Sequence, residues 1–175
     1  MHIYFLTKAD LLTFQLYEAS TNPKKKNKKM KGVWLLTGFF TLIAGSGYFN
    51  DNKFMLIYFS VCAILTVFLG PFYMAWKYKR HYTHYVDDTF KCINGEVKMK
   101  IGDLYIEEAD QISESRFKIS EITEVNEIST HYFIKVSSGQ SIIITKENKE
   151  LNNDIKQLIV HHKLKHNLML DWKWN

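Results

Sequence analysis

His161, His162 and His166 are the densest set of potential metal ligands in the chain. His162 and His166 stand four apart on a predicted helix, a spacing at which two imidazoles can hold Zn²⁺. No Glu follows the first of them, and His161 points to another side of the helix, so a third and fourth ligand are lacking. The expectation is a polar helix flank without metal. Cys92 lies beside Lys91 but has no partner base, and is expected to serve packing. Glu107, Glu108 and Asp110 read as a solvated acidic turn. No Gly-rich phosphate loop, nucleophile elbow or paired catalytic carboxylates occur. The sequence thus points away from an enzyme and away from any cofactor.

Charge narrows the remaining classes. The chain has 175 residues and a net charge of +5, with 46% apolar and 15% aromatic residues. Met1–His81 holds 11 Lys/Arg against 3 Asp/Glu, whereas Tyr82–Asn175 holds 12 against 15. The C-terminal half is mildly acidic and would repel a phosphate backbone, so nucleic acid is not an expected partner. Two cysteines exclude a disulfide scaffold. A mean hydropathy of −0.20 looks soluble only because it averages two kinds of segment.

Gly32–Phe49 is 18 residues without a charge, and Phe54–Trp76 is 23 more. As helices they reach roughly 27 and 34 Å, against a hydrocarbon core of roughly 30 Å. Inside lipid a helix alone satisfies such a segment's backbone, so two transmembrane helices joined as a hairpin are expected. A cleaved signal peptide fits poorly, because the first run begins after a folded-looking stretch and a second span follows at once. Trp34, Tyr48, Tyr58, Tyr73 and Trp76 lie mostly toward the span ends, as interfacial aromatics do.

Lys24, Lys25, Lys26, Lys28, Lys29 and Lys31 precede the first span, and Lys77, Lys79 and Arg80 follow the second. The hairpin loop holds Lys53 and Asp51 alone. This asymmetry is expected to place both termini in the cytoplasm, at the inner membrane, and makes the nine cations the orienting and anionic-lipid-contacting residues. Thr37, Thr41 and Gly45, and Thr66 and Gly70, recur every four residues, the spacing at which small residues bring helices close. Packing of the two spans on each other is the expected use, and a homo-oligomer interface the second. Gly70-Pro71 is expected to kink the second span. Neither span holds an ionisable residue, which argues against a proton-coupled carrier.

The predicted cytoplasmic elements follow from periodicity. Residues 2–6 form a short strand. Thr7 with Asp10 resembles a capping box opening a helix whose apolar face includes Leu11, Leu12, Phe14, Leu16 and Tyr17. Residues 20–31 read as a basic linker, closing an N-terminal segment 1–31 before the hairpin 32–76. Tyr78, Tyr82, Tyr85, Val86, Phe90 and Ile93 continue the second span as a juxtamembrane helix over 77–95, ended by Asn94-Gly95, or lead into an Asn-Gly hairpin. From Glu96 the period becomes two. Strands are expected over 96–101, 104–108, 113–119, 122–128, 131–136 and 141–145, then a helix from Glu147 to about Lys165. The resulting fold class is an α+β membrane protein: a transmembrane hairpin, then a small antiparallel β domain (96–175) capped by a C-terminal helix. That element order is the outline of a pleckstrin-homology-like (PH-like) domain. Trp172 and Trp174 at the chain end suit a membrane interface, a partner groove or packing on the sheet.

Ala9–Tyr17, and more tellingly Ser113–Asn148, are similar to the YcxB-like family of bacterial membrane proteins. Ser120–Ile122 resembles that family's step into a strand, and Tyr132-Phe133 with Ile142–Lys146 resemble its final hairpin. Ile119 stands where the family often has Trp. The resemblance implies an N-terminal segment, a basic linker, two spans and a β-rich C-terminal domain, and it carries no activity. The expected function is a non-catalytic, membrane-anchored binding or regulatory protein presenting its sheet domain to a protein partner. The alternative is an immunity or defence protein acting through its hairpin on, or as, a membrane-active toxin.

Overall fold

The computed structural model describes residues 1–89, 95–111 and 113–174, with backbone alone at 23–26, 28 and 29. These residues divide into two compact units. Among them the first comprises Met1–Phe14 and Tyr85–Lys173, the second Gln15–His84 with Trp174.

The first unit is α+β and holds two four-stranded sheets. Strand β1 (His2–Phe5) lies antiparallel to β2 (Glu96–Ile101), with His2 opposite Met99. Strands β3 (Tyr105–Ala109) and β4 (Glu114–Lys118) complete that sheet in the order β1-β2-β3-β4. A 3₁₀ turn at Ile119–Glu121 leads to β5 (Ile122–Glu127), β6 (His131–Val136) and β7 (Ser141–Thr145). Helix α4 (Lys149–His161) follows, then β8 (His166–Leu168), which joins β5 in parallel and gives the order β7-β6-β5-β8.

The alternation from Glu96 onward is what makes these strands. Val97 and Met99 point inward while Lys98 and Lys100 point to solvent. Their inward faces meet Val125, Tyr132, Ile134, Ile142 and Ile144 from the other sheet in one continuous core. Helix α4 closes it with Leu151, Ile155, Leu158 and Ile159, one apolar stripe of a helix. Asn148 caps α4, its Oδ1 accepting the backbone N–H groups of Glu150 and Leu151 at 3.0 and 3.1 Å.

Two expectations are corrected in this unit. The C-terminal helix stops at His161 instead of running to about Lys165. Lys163 takes a left-handed φ of 50°, which turns the chain so that His166–Leu168 adds as a strand. The sheet domain is not confined to residues 96–175, because β1, from before the helical hairpin, is its first strand.

Helix α1 (Lys8–Thr21) contributes residues to both units, and its start is the expected capping box. The Thr7 N–H and hydroxyl donate to Asp10 Oδ2 at 2.7 and 2.6 Å.

The second unit is helical. Helix α2 spans Pro23–Phe49 and α3 spans Lys53–Thr89, the latter reaching into the first unit. Residues 23–31, expected as a linker, are helical. Pro23 sits at the first helical position, where its missing N–H costs nothing, and lysine is a good helix former. The second apolar run and the stretch after it form one helix through Pro71 to Thr89. The proposed helix end at Asn94-Gly95 involves residues 90–94, outside the described ones.

Met30–Phe49 and Lys53–Thr89 are long and apolar enough to cross a membrane. Their large side chains face outward, among them Trp34, Leu35, Phe39, Leu42, Phe54, Phe68 and Phe72. The two helices touch through small groups. A Cβ on Gly70 would stand 2.8 Å from Val33 Cγ1, and one on Gly47 would stand 2.8 Å from the Leu56 nitrogen.

Candidate functional site

A cleft of about 760 Å³ in the first unit lies between the β2–β3 turn and the last turns of α4. Gly102 and Asp103 form one wall; Asp154, Gln157, His161 and His162 form the other. A second cleft of about 470 Å³ shares Asp103 and His162 and continues past Leu104 toward Ser120, Thr123, Lys163 and Lys165. The tight turn after β2 lifts Leu104 into solvent, where it is 71% exposed, and α4 does the same to Val160, 77% exposed. This rim joins two free apolar side chains to imidazole, carboxylate and ammonium groups.

His161 and His162 meet edge-on with ring centroids 4.8 Å apart. His166 leaves them for Glu127, its Nε2 lying 2.8 Å from Oε2. The acidic residues also separate. Glu107 pairs with Arg116 at 3.3 Å, Glu108 accepts from the Tyr4 hydroxyl at 3.2 Å, and Asp110 accepts the Ser113 N–H at 2.6 Å. Among the described residues no group of three His, Cys, Asp or Glu is placed to hold a metal ion. Cys92 lies outside the described residues. Burial pushes the Glu108 carboxyl up, against the pull of the Tyr4 hydroxyl, and the charge of Asp110 adds to the rise.

Sequence patterns alone did not reveal three polar networks on the second sheet. Asp10 Oδ1 meets His131 Nε2 at 2.9 Å, while the Thr130 hydroxyl holds the other ring nitrogen at 2.7 Å. Glu127 accepts from Lys146 at 2.6 Å besides meeting His166, and the Lys146 ammonium lies 4.8 Å from the Tyr132 ring centroid. Glu124 accepts from Lys165, Asn126 and Asn167 at 3.0, 3.2 and 3.1 Å, with Lys135 at 3.4 Å. The polar residues inside the β5 pattern ITEVNE were the one available signal. Several of the partners are far off in sequence, His166 39 residues from Glu127 and His131 121 from Asp10, beyond any local period.

Burial opposes the charge on each of these carboxylates, but the donors outweigh it. Asp10 and Glu127 are held below the ordinary carboxylate range, and Glu124 is held at about 2. Burial and the charge of Glu127 push Tyr132 up to about 12. A carboxylate with a depressed folded-state pKa adds stability above its unfolded pKa and loses it as pH falls through the folded value. Stability of the full-length chain's first unit against urea should therefore fall steadily from about pH 5 toward pH 2, and Glu124→Gln should flatten that slope. An unchanged slope in the variant would contradict the network.

Of the cations expected to orient the chain, Lys31, Lys77, Lys79 and Arg80 are exposed, and the Arg80 guanidinium lies 5.5 Å from the centroid of the Trp76 ring. The side chains of Lys24, Lys25, Lys26, Lys28 and Lys29 lie outside the described residues. Thr37, Thr41 and Thr66 return their hydroxyls to the carbonyls four residues back, at 2.8–2.9 Å. Gly70 meets Val33, whereas a Cβ at Gly45 would meet nothing within 4 Å. Trp172 and Trp174 are half-buried.

Residues 101–148, from the end of β2 to the cap of α4, match the family model described as YcxB-like protein. The chain carries a YcxB-like region. It contains β3 to β7, including the Tyr132-Phe133 and Ile142–Lys146 hairpin and all of ITEVNE. The YcxB-like region does not include β1, the helical hairpin or α4, so it is narrower than the similarity read from the sequence. No curated protein and no solved structure matches the chain.

Proposed function

We propose that this chain is a non-catalytic, membrane-anchored binding or regulatory protein, held at a bacterial inner membrane by its α2–α3 hairpin. Its PH-like sheet unit faces the cytoplasm and docks a protein partner. The observation that carries the reading is the chain path: the first unit is built from residues on both sides of two span-length apolar helices. A hairpin that leaves and re-enters one folded unit returns to the side it left. The cations that flank the two apolar runs, within α2 and α3, support the cytoplasm as that side, where they would also meet anionic headgroups. Two sheets closed by α4 over one core support the PH-like description.

In this reading the Leu104–Val160 rim is the docking surface. Affinity capture after in-cell crosslinking should recover one partner with the native chain and with a variant whose α2–α3 apolar runs are replaced by an unrelated two-helix anchor. Leu104→Asp with Val160→Asp should lower recovery about tenfold, the loss of a central interface contact. Recovery that depends on the native helices and ignores the rim would overturn the reading.

A second reading has one observation in its favour. Gly38 and Gly45 leave open space on the hairpin, with nothing within 4 Å of an added Cβ. Small residues left open in this way suit another helix, in a homo-oligomer or in an immunity or defence protein acting on, or as, a membrane-active toxin. Self-crosslinked oligomers alone, lost on replacing the helices, would favour it.

A further inference from the structure

Of the first fourteen residues, Tyr4 alone is buried. Ile3 and Phe5, its neighbours in β1, are 51% and 59% exposed. Tyr4 joins the core and Leu6 packs against it, but with little other apolar burial the segment depends largely on polar contacts. The β1–β2 ladder is extended by the Leu6 N–H to the Gly95 carbonyl at 2.7 Å. Side-chain pins do the rest. The Tyr4 hydroxyl reaches the carbonyl of Ile143 at 3.1 Å as well as Glu108. His2 meets Asp154 of α4 at 2.7 Å, and Asp10 meets His131 of β6 at 2.9 Å. Lys8 pairs with Asp87 at 2.9 Å. One ring contact joins them: Phe14 lies 5.3 Å from Phe133, which also stacks against His131.

The rest of the unit is held differently. Strands β5 to β7 and α4 bury Val125, Ile134, Ile144, Leu151 and Ile155 completely. Their contacts are local in sequence, through adjacent antiparallel strands. The two parts thus differ in the kind of interaction that holds them and in the free energy needed to open them.

We propose that Met1–Phe14 is a releasable strap, which detaches from the second sheet and from β2 while β5–β7 and α4 stay folded. Its release uncovers Phe133 and His131 and frees the Ile143 carbonyl on β7, an edge strand of the second sheet. Helix α1 carries the strap without a break into Gln15–Thr21.

Hydrogen exchange of the full-length chain in lipid nanodiscs tests this. Amides of residues 2–14 should exchange at least tenfold faster than those of β5–β7 at neutral pH. Asp10→Asn should speed exchange of the strap about tenfold further and leave β5–β7 unchanged. Tyr4→Phe, which keeps the buried ring and removes the two hydroxyl bonds, should do the same to a smaller degree. A single common rate for the strap and β5–β7, shifting together in both variants, would overturn the proposal. So would strap exchange that neither variant alters.

Discussion

Leu151→Ala is expected to cost about 2–5 kcal/mol of the first unit's stability, the range for emptying a fully packed leucine site. Leu151 has no exposed surface and opens the stripe with which α4 closes the two sheets. The cavity would lie where both sheets and the helix meet, so no single element can relax to fill it. The measurement is urea denaturation of the full-length chain in detergent, followed by near-UV circular dichroism. Val160→Ala, on the exposed side of the same helix, is the control and should stay within about 0.5 kcal/mol. Equal losses in the two variants would mean that α4 does not close the core.

Gly95→Val is the second large effect. Gly95 has a φ of 72°, a conformation strongly disfavoured for a β-branched residue, and a Cβ there would stand 2.5 Å from the Leu6 carbonyl oxygen. Left-handed strain of about 1–2 kcal/mol and an overlap with backbone of about 1–3 kcal/mol act at the same point. The joint that closes β1 on β2 should loosen, and residues 2–6 should exchange their amides more than tenfold faster. Gly102→Ala is the comparison. Its Cβ would meet the Tyr105 carbonyl at 3.5 Å, an ordinary contact, and exchange of residues 2–6 should not change. Normal protection of these amides in Gly95→Val would show that the left-handed glycine is not required.

Much of the fold was legible because it is written in local periods. Val97, Met99 and Ile101 alternate with charged neighbours, and Leu151, Ile155, Leu158 and Ile159 repeat at helical spacing, so β2 to β7 and α4 fall within a few residues of their expected bounds. Three features had no local signature. His166–Leu168 is too short to show a period, and its parallel pairing with β5 depends on the turn at Lys163. The lysines in the first turns of α2 read as a linker by charge, although nothing in their backbone preference opposes a helix. The partnership of β1 with β2 is a long-range fact. His2–Phe5 looks like any short strand, and only the assembled sheet reveals which strand it pairs with. The same holds for the candidate site. Leu104 and Val160 are ordinary apolar residues in sequence, and their significance comes from the side of turn and helix on which they emerge.

The placement of β1 ahead of the helical hairpin also fixes an order of events during synthesis. His2–Phe5 is made before both apolar helices, yet its pairing strand, Glu96–Ile101, emerges from the ribosome only after both have been made. The carbonyl that receives the Tyr4 hydroxyl, at Ile143, comes later still. Closing so large a loop is slow compared with forming local hairpins. The nascent chain therefore carries an unpaired N-terminal strand throughout production of its most hydrophobic segments. The sheet unit can be completed only when those segments have been disposed of. Completion of the first sheet thus acts as a checkpoint on the hairpin: a chain whose two helices come to rest with their ends apart has no way to bring its first strand home.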